Sequence, residues 1–241
     1  MYSYFYTFIK TFSFRLLNTQ LNLYANILSD SVFRKISDAI SSDTGCHWAI
    51  EKIKFHFNNP RSSKFQEYYF SILSDSQNFL ADENFFGKFK QQYGLQGITN
   101  EYLSMLEISK SAILKLIEGG RLAELYYNYF SRALVRRGDS YKEINLGSFF
   151  TKLVHNFLPG DYCALDNPIK DGFGLKNEGF FLSFIVISDA YKNYSVSNQK
   201  GITEIRNQIF EMDKKNLFKK DKLTDIKLLD LIFWSDTNRP L

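Results

Sequence analysis

Apolar residues recur at intervals of three and four along almost the whole chain. In "SVFRKISDAI" they are Val32, Phe33, Ile36 and Ile40; in "HWAIEKIKFHF" they are Trp48, Ile50, Ile53 and Phe57. That spacing puts one apolar stripe on each α-helix. The same period runs through "SKFQEYYFSILSDSQNFL", "EYLSMLEISKSAILKLIEGG", "LAELYYNYFSRALVRRG", "GFFLSFIVISDAYKNY", "ITEIRNQIFEMDKK" and "TDIKLLDLIFW". Thr99 before Glu101, and Thr224 before Asp225, supply capping oxygens and early negative charge. Gly119-Gly120, Gly138 and Gly160 read as stops. Strand-like alternation is scarce. "FLSFIVIS", residues 181–188, has the composition of a buried strand, but its flanks favour a helix. The pattern predicts a mainly α fold, a multi-helix globular bundle. It shows no repeat of 20–50 residues. The best joints are the loops near 58–63 and 138–148, which divide the chain into helical regions 1–137 and 138–241.

The aromatic opening "YSYFYTFIKTFSFRLLNTQLNLYANIL" is interrupted by Lys10 and Arg15, so no run reaches the length of a membrane span. No small-residue cleavage site follows it. It reads as a core or interface helix through which a protein partner can dock, with a helix lying on a membrane surface as the alternative. No membrane partner is expected.

Composition changes this picture little. Among 241 residues, 44% are hydrophobic, enough for a sizeable core. The net charge of +4 is mild and permits nucleic acid without indicating it. The two cysteines, Cys46 and Cys163, fit a reducing cytoplasm without a disulfide framework. No phosphate loop or dinucleotide glycine pattern occurs, and "GFGL" at 172–175 is too short to be one. The histidines are scattered, and Cys46-His47 has no second pair to complete a zinc site. No metal and no cofactor are expected.

Two segments carry candidate chemistry. The first is "FFTKLVHNFLPGDYCALDNPIK", residues 149–170: an amphipathic helix, a Pro-Gly stop, then Asp166 fourteen residues after Lys152. Thr151-Lys152, Leu153, His155, Pro159, Tyr162, Leu165 and Asp166, together with Asp230 and Trp234 in the terminal "LLDLIFW", resemble a group of prophage- or defence-associated bacterial proteins. That group looks remotely related to the helix-hairpin-helix DNA glycosylases. The resemblance covers about residues 147–235 and implies a glycosylase-like helical region at the C-terminus. It departs from the group's pattern in Asn167-Pro168 after the aspartate. It also lacks the glycine-rich hairpin of true glycosylases, since "LPGD" at 158–161 matches only its first half. Pro168 restricts Asn167 and is expected to delay the next helix.

The resemblance implies cleavage of an N-glycosidic bond. Asp166 would stabilise positive charge on the sugar or activate water. Lys152, with a depressed pKa, would attack C1′ to give a Schiff base. An extruded base would stack on Phe or Tyr. The same residues also have a plainer reading, in which Lys152 snorkels, His155 packs or caps, and Asp166 caps the next helix.

The second segment, "ITNEYLSMLEISKSAILKLIEGGRL" at 98–122, resembles the helix-turn-helix of excisionase-type DNA-binding domains at Thr99, Glu101, Leu106, Ile108, Ser109, Lys110, Ile117, Gly120, Arg121 and Leu122. Glu107 stands where the turn usually has Leu-Gly, so one long helix is the alternative. Basic residues Lys110, Arg121, Arg136 and Arg137, with His155, are the candidate nucleic-acid contacts, joined by "DKKNLFKKDK" at 213–222. The expected function is nucleic-acid engagement, with base excision as the possible enzyme activity, in prophage or anti-phage defence. The alternatives are a non-catalytic subunit of a defence or toxin complex, and an excisionase-type DNA-binding protein.

Overall fold

The computed structural model describes residues 22–95, 98–137 and 140–237. The aromatic stretch 1–21, on which the docking expectation mostly falls, lies outside them. The described residues are mainly helical, with 13 helices and one two-stranded sheet. None of these helices is long and apolar enough to cross a membrane.

Helix α1 covers 22–40 among the described residues. It is followed by α2 (Asp43–Asn58), α3 (Pro60–Ile72), α4 (Ser76–Ala81), α5 (Phe85–Gln92), α6 (Asn100–Ile108), α7 (Lys110–Glu118) and α8 (Leu122–Tyr129). The hairpin β1 (Ala133–Arg137) and β2 (Ser140–Ile144) comes next. Then come α9 (Gly147–Phe157), α10 (Asn167–Gly172), α11 (Phe180–Ser197), α12 (Gln199–Met212) and α13 (Asp225–Thr237).

Local chemistry sets several boundaries. The joint expected near 58–63 is a single residue. Asn59 ends α2 and caps α3, its side chain accepting from Ser62 N–H at 3.0 Å, with Pro60 opening the helix where no backbone donor is needed. Thr99 and Thr224 cap as their positions predict, accepting from Tyr102 N–H and Lys227 N–H. Gly120 stops α7 with φ +64°, a left-handed angle that costs a glycine nothing. The segment 181–188 is helical, inside α11.

The hairpin departs from the expected pattern. A helix was expected to run from Leu122 to Gly138. Instead α8 stops at Tyr129, and the Tyr126 carbonyl accepts from both Phe130 N–H and Ser131 N–H. Phe130 is fully buried, and its carbonyl accepts from Leu146 N–H at 2.8 Å, which draws the chain into an antiparallel pair. Arg136 and Arg137 therefore lie in a strand and not at a helix end. Buried Ala133 and Val135 alternate with exposed Leu134 and Arg136, a period of two that five residues are too few to announce. The division expected at 137/138 falls in the turn of this hairpin.

The 98–122 segment forms two helices broken at Ser109. The second of them, α7, buries Lys110, Ile113, Leu114 and Ile117. The helix that would read DNA therefore turns Lys110 inward.

One apolar core runs through residues of every region. At one end α13, apolar on nearly all sides, packs against α2, α10 and α11. Helix α9 joins this group to α4–α8. Its Phe149 meets Phe86, Phe89 and Phe130, and its Phe150 meets Tyr126, Phe130 and Phe184. Edge-to-face and offset ring pairs of this kind add about 0.5–1.5 kcal/mol each beyond burial. Truncating Phe149 to Ala is expected to cost about 3–5 kcal/mol of stability, read from urea unfolding. A loss below about 1 kcal/mol would mean that this junction does not hold the two groups together.

Candidate functional site: a charged aromatic cavity between α2–α3, α9 and α13

Helix α9 buries Phe149, Phe150, Leu153 and Val154 and leaves Lys152 at a cavity wall. The return loop is clamped from both sides. The Thr151 hydroxyl donates to the Leu165 carbonyl (2.8 Å) and accepts Leu165 N–H (3.0 Å). The Asp230 carboxylate accepts Ala164 N–H (2.8 Å), and Thr224 donates to the Pro159 carbonyl (2.7 Å). These bonds carry Asp166 back beside Lys152. The delay expected from Pro168 does not occur. Helix α10 begins at Asn167, because a proline in the first turn needs no backbone donor. Asp166 caps it, Oδ1 accepting from Ile169 N–H at 3.2 Å.

Lys152 and Asp166 line the same cavity, about 390 Å³ in volume. That is within the range of small-molecule sites. Further ionisable side chains join them: His56 from α2, Arg61 from α3, His155 from α9, and Lys227 and Asp230 from α13. Aromatic walls come from Phe55, Phe65, Tyr69, Tyr93 and Trp234. On α3, Ser62, Phe65, Gln66 and Tyr69 follow helical spacing and present one face to the cavity; on α13, Lys227, Asp230 and Trp234 do the same.

Burial dominates the electrostatics. It pushes the Lys152 amine below its ordinary value, while Asp166 and Asp230 oppose the shift. The Lys152 ammonium donates to the Ser148 hydroxyl and lies 5.7 Å from the Tyr93 ring centre. Lys227 sits 4.1 Å over the Tyr69 ring, and burial lowers its pKa against the pull of Asp230. Asp230 is 4% exposed, and burial raises its pKa against the pull of Lys227 and the Ala164 N–H. Each member of this pair moves toward its neutral form, as charges withdrawn from water do.

Both cavity histidines are neutral. Burial takes His155 to about 3 and His56 to about 4. His155 Nδ1–H donates to the Tyr162 carbonyl, which leaves the Nε2 lone pair 3.5 Å from Asp230 Oδ2. With His155 neutral, this contact is no ion pair. His56 Nε2–H donates to the Leu231 carbonyl (2.9 Å), and Nδ1 accepts from Ser62. Four buried polar atoms of the lining have no partner in the protein: Gln66 Oε1, Tyr69 OH, His155 Nε2 and Asp230 Oδ1. An unmet buried group costs about 1–3 kcal/mol, so this set favours a ligand that meets it.

The other expected contacts are not gathered here. Lys110 is 7% exposed. Its amine donates to the Asp82 carbonyl and pairs with Glu107 at 3.1 Å, which takes it out of reach of phosphate. His155 lies inside the cavity rather than on a surface. Arg121 is exposed and paired with Glu124. Arg136 is exposed on β1. Arg137 pairs with Ser140 through the backbone. No cluster of His, Cys, Asp or Glu that could hold a metal occurs among the described residues. No protein-family model, curated protein or solved structure matches this chain.

The histidines give the site a pH signature. A folded-state pKa below the unfolded value means that the unfolded chain binds the extra proton. Stability then falls as pH drops from about 6.5 toward 4. Asp230, raised to about 7, works in the opposite sense across the whole of that window, so a difference measurement is needed. His56→Gln should flatten the wild-type slope by about 1.4 kcal/mol per pH unit between pH 6 and 4.5, measured as urea midpoints. Parallel slopes for the two proteins would show that His56 is not held neutral.

Proposed function

We propose that the chain takes an extruded nucleobase into this cavity and cleaves its N-glycosidic bond. The observation that carries the reading is the convergence of Lys152 and Asp166 on one aromatic-lined cavity. The rings of Tyr93 and Trp234 in the cavity wall supply aromatic surface for stacking, which suits any base. Gln66 Oε1, Asp230 Oδ1 and His155 Nε2 are unpaired acceptors, so the favoured ligand presents several N–H donors along one edge.

The chemistry follows from these placements. As the C1′–N bond breaks, its electron pair leaves with the base nitrogen, which takes up a proton. Positive charge develops on the sugar, and the Asp166 carboxylate, fixed by its Ile169 bond, stabilises it. The neutral form of Lys152, favoured by burial, attacks C1′ as the base leaves and loses a proton to give a glycosylamine. The C1′–O4′ bond then breaks, its electron pair leaving with O4′, which takes up that proton, and the nitrogen lone pair forms the C1′=N bond of a protonated imine. Capping and catalysis are compatible in Asp166, since the cap occupies only Oδ1.

A second reading rests on α1, where Leu23 and Ile27, one helical turn apart, are 61% and 56% exposed. An apolar stripe of that kind suits a protein partner, as expected of a non-catalytic subunit.

The test compares Asp166→Asn and Lys152→Ala with wild type on oligonucleotides carrying a panel of modified bases. Asp166→Asn keeps the cap, because Asn caps as well as Asp. It should keep the melting temperature and lose about 10²–10³-fold in base release. Lys152→Ala should abolish the adduct trapped by borohydride. Wild-type activity in Asp166→Asn, or no base release by wild type from any substrate, would overturn the reading and favour the partner-binding one.

A further inference from the structure

A second depression, about 770 Å³, lies against the flank of the α2–α3 hairpin that the cavity does not use. Lys54 of α2 meets Lys214, Lys215 and Lys219 of the loop after α12 there, four ammonium groups brought together from segments some 160 residues apart. We infer that this groove binds the phosphate groups of a nucleic-acid strand. The choice of a strand as the source rests on the base-binding reading of the neighbouring cavity, which shares the hairpin as its wall.

The loop is built to hold its lysines outward. Asp213 turns its carboxylate inward, where both oxygens accept backbone N–H groups, from Leu217 and Phe218 at 2.8 Å each. That carboxylate shapes the loop and also lines the groove. Phe218 is fully buried, 4.9 Å from Phe57 and 6.4 Å from Phe70, so the loop is anchored to α2 and α3. Glu67 and Asp213 line the groove and Glu51 pairs with Lys54, so the four lysines outnumber these carboxylates by one. Asn58 adds a neutral amide. A concave surface with exposed lysines at several points suits phosphates spaced along a strand, with release of counterions on binding. Lys220 points elsewhere, 5.3 Å over the Phe210 ring, and Lys222 does not line the groove. These two lysines provide a control of equal charge.

The experiment uses the full chain and a fluorescein-labelled oligonucleotide of unmodified bases, with anisotropy read across a range of salt. Lys215→Glu with Lys219→Glu should weaken binding by about tenfold or more and remove about two contacts from the salt slope, ~1.8 for a duplex. Lys220→Glu with Lys222→Glu should cost less than about threefold. Equal losses from the two pairs, or no loss from the first, would overturn the groove. Inorganic pyrophosphate, titrated calorimetrically, separates the sources. Uptake through Lys215 and Lys219 without strand binding would assign the groove to free polyphosphate and overturn the strand. Base release is assayed in parallel. Lysine-dependent strand binding by a chain that releases no base would leave the groove standing and remove only the cavity chemistry.

Discussion

Four ionisable side chains, Lys152, Asp166, Lys227 and Asp230, line one cavity with five aromatic rings, and burial shifts Lys152, Lys227 and Asp230 toward their neutral forms. Everything distinctive about the site follows from that constraint. Withdrawing charge from water is costly, and mutual attraction repays it only with close partners. The structure supplies some of these: the Ala164 N–H on Asp230, the Tyr69 ring under Lys227, and the Ser148 hydroxyl on Lys152. It stops short of full satisfaction, since Asp230 Oδ1 and His155 Nε2 remain unpaired. A core selected for stability alone would replace this group with apolar side chains. Its presence in the cavity is the physical reason for reading the cavity as functional.

The fold serves this constraint directly. Helix α9 is anchored by Phe149 and Phe150, so its remaining face has little freedom, and Lys152 has a fixed origin. Thr151 and Asp230 hold the return loop by its backbone, which sets Asp166 without relying on loop stiffness. Helix α13 supplies Lys227, Asp230 and Trp234 from one face and apolar packing from the others. The α2–α3 hairpin closes the enclosure. Its other flank forms the lysine groove, and Phe218 packs on Phe57 behind His56. The two depressions are therefore mechanically joined by one helical pair.

Much of this was legible in the sequence, for identifiable reasons. The helices were legible because their apolar spacing is sustained over long segments. The hairpin was not, because strands of five residues offer too few positions to separate a period of two from a helix end. Lys152, His155 and Asp166 stood out because a proline stop and a lone aspartate mark the turn between them. Asp230 and Trp234 were visible only as a terminal motif. Lys227, in register with them one turn earlier, carried a signal that was passed over: a lysine inside an apolar helix face. Gln66, Tyr69 and His56 left no mark, since nothing local shows that α2 and α3 face α13 across the chain. Lys110 misled for the converse reason. Its basic character suggested a surface, yet its partners Asp82 and Glu107 are set by tertiary packing.

The central claim is that charged side chains share a desolvated cavity, and the titration of Asp230 tests it most directly. In the full chain, the carboxyl carbon of Asp230 can be followed by nuclear magnetic resonance as pH is raised. The account predicts a midpoint well above the ordinary aspartate value of 3.8, moving higher when the opposing Lys227 is replaced by Met. A midpoint at or below 3.8, unchanged in Lys227→Met, would mean that Asp230 is solvated and that the cavity does not hold its charges as described.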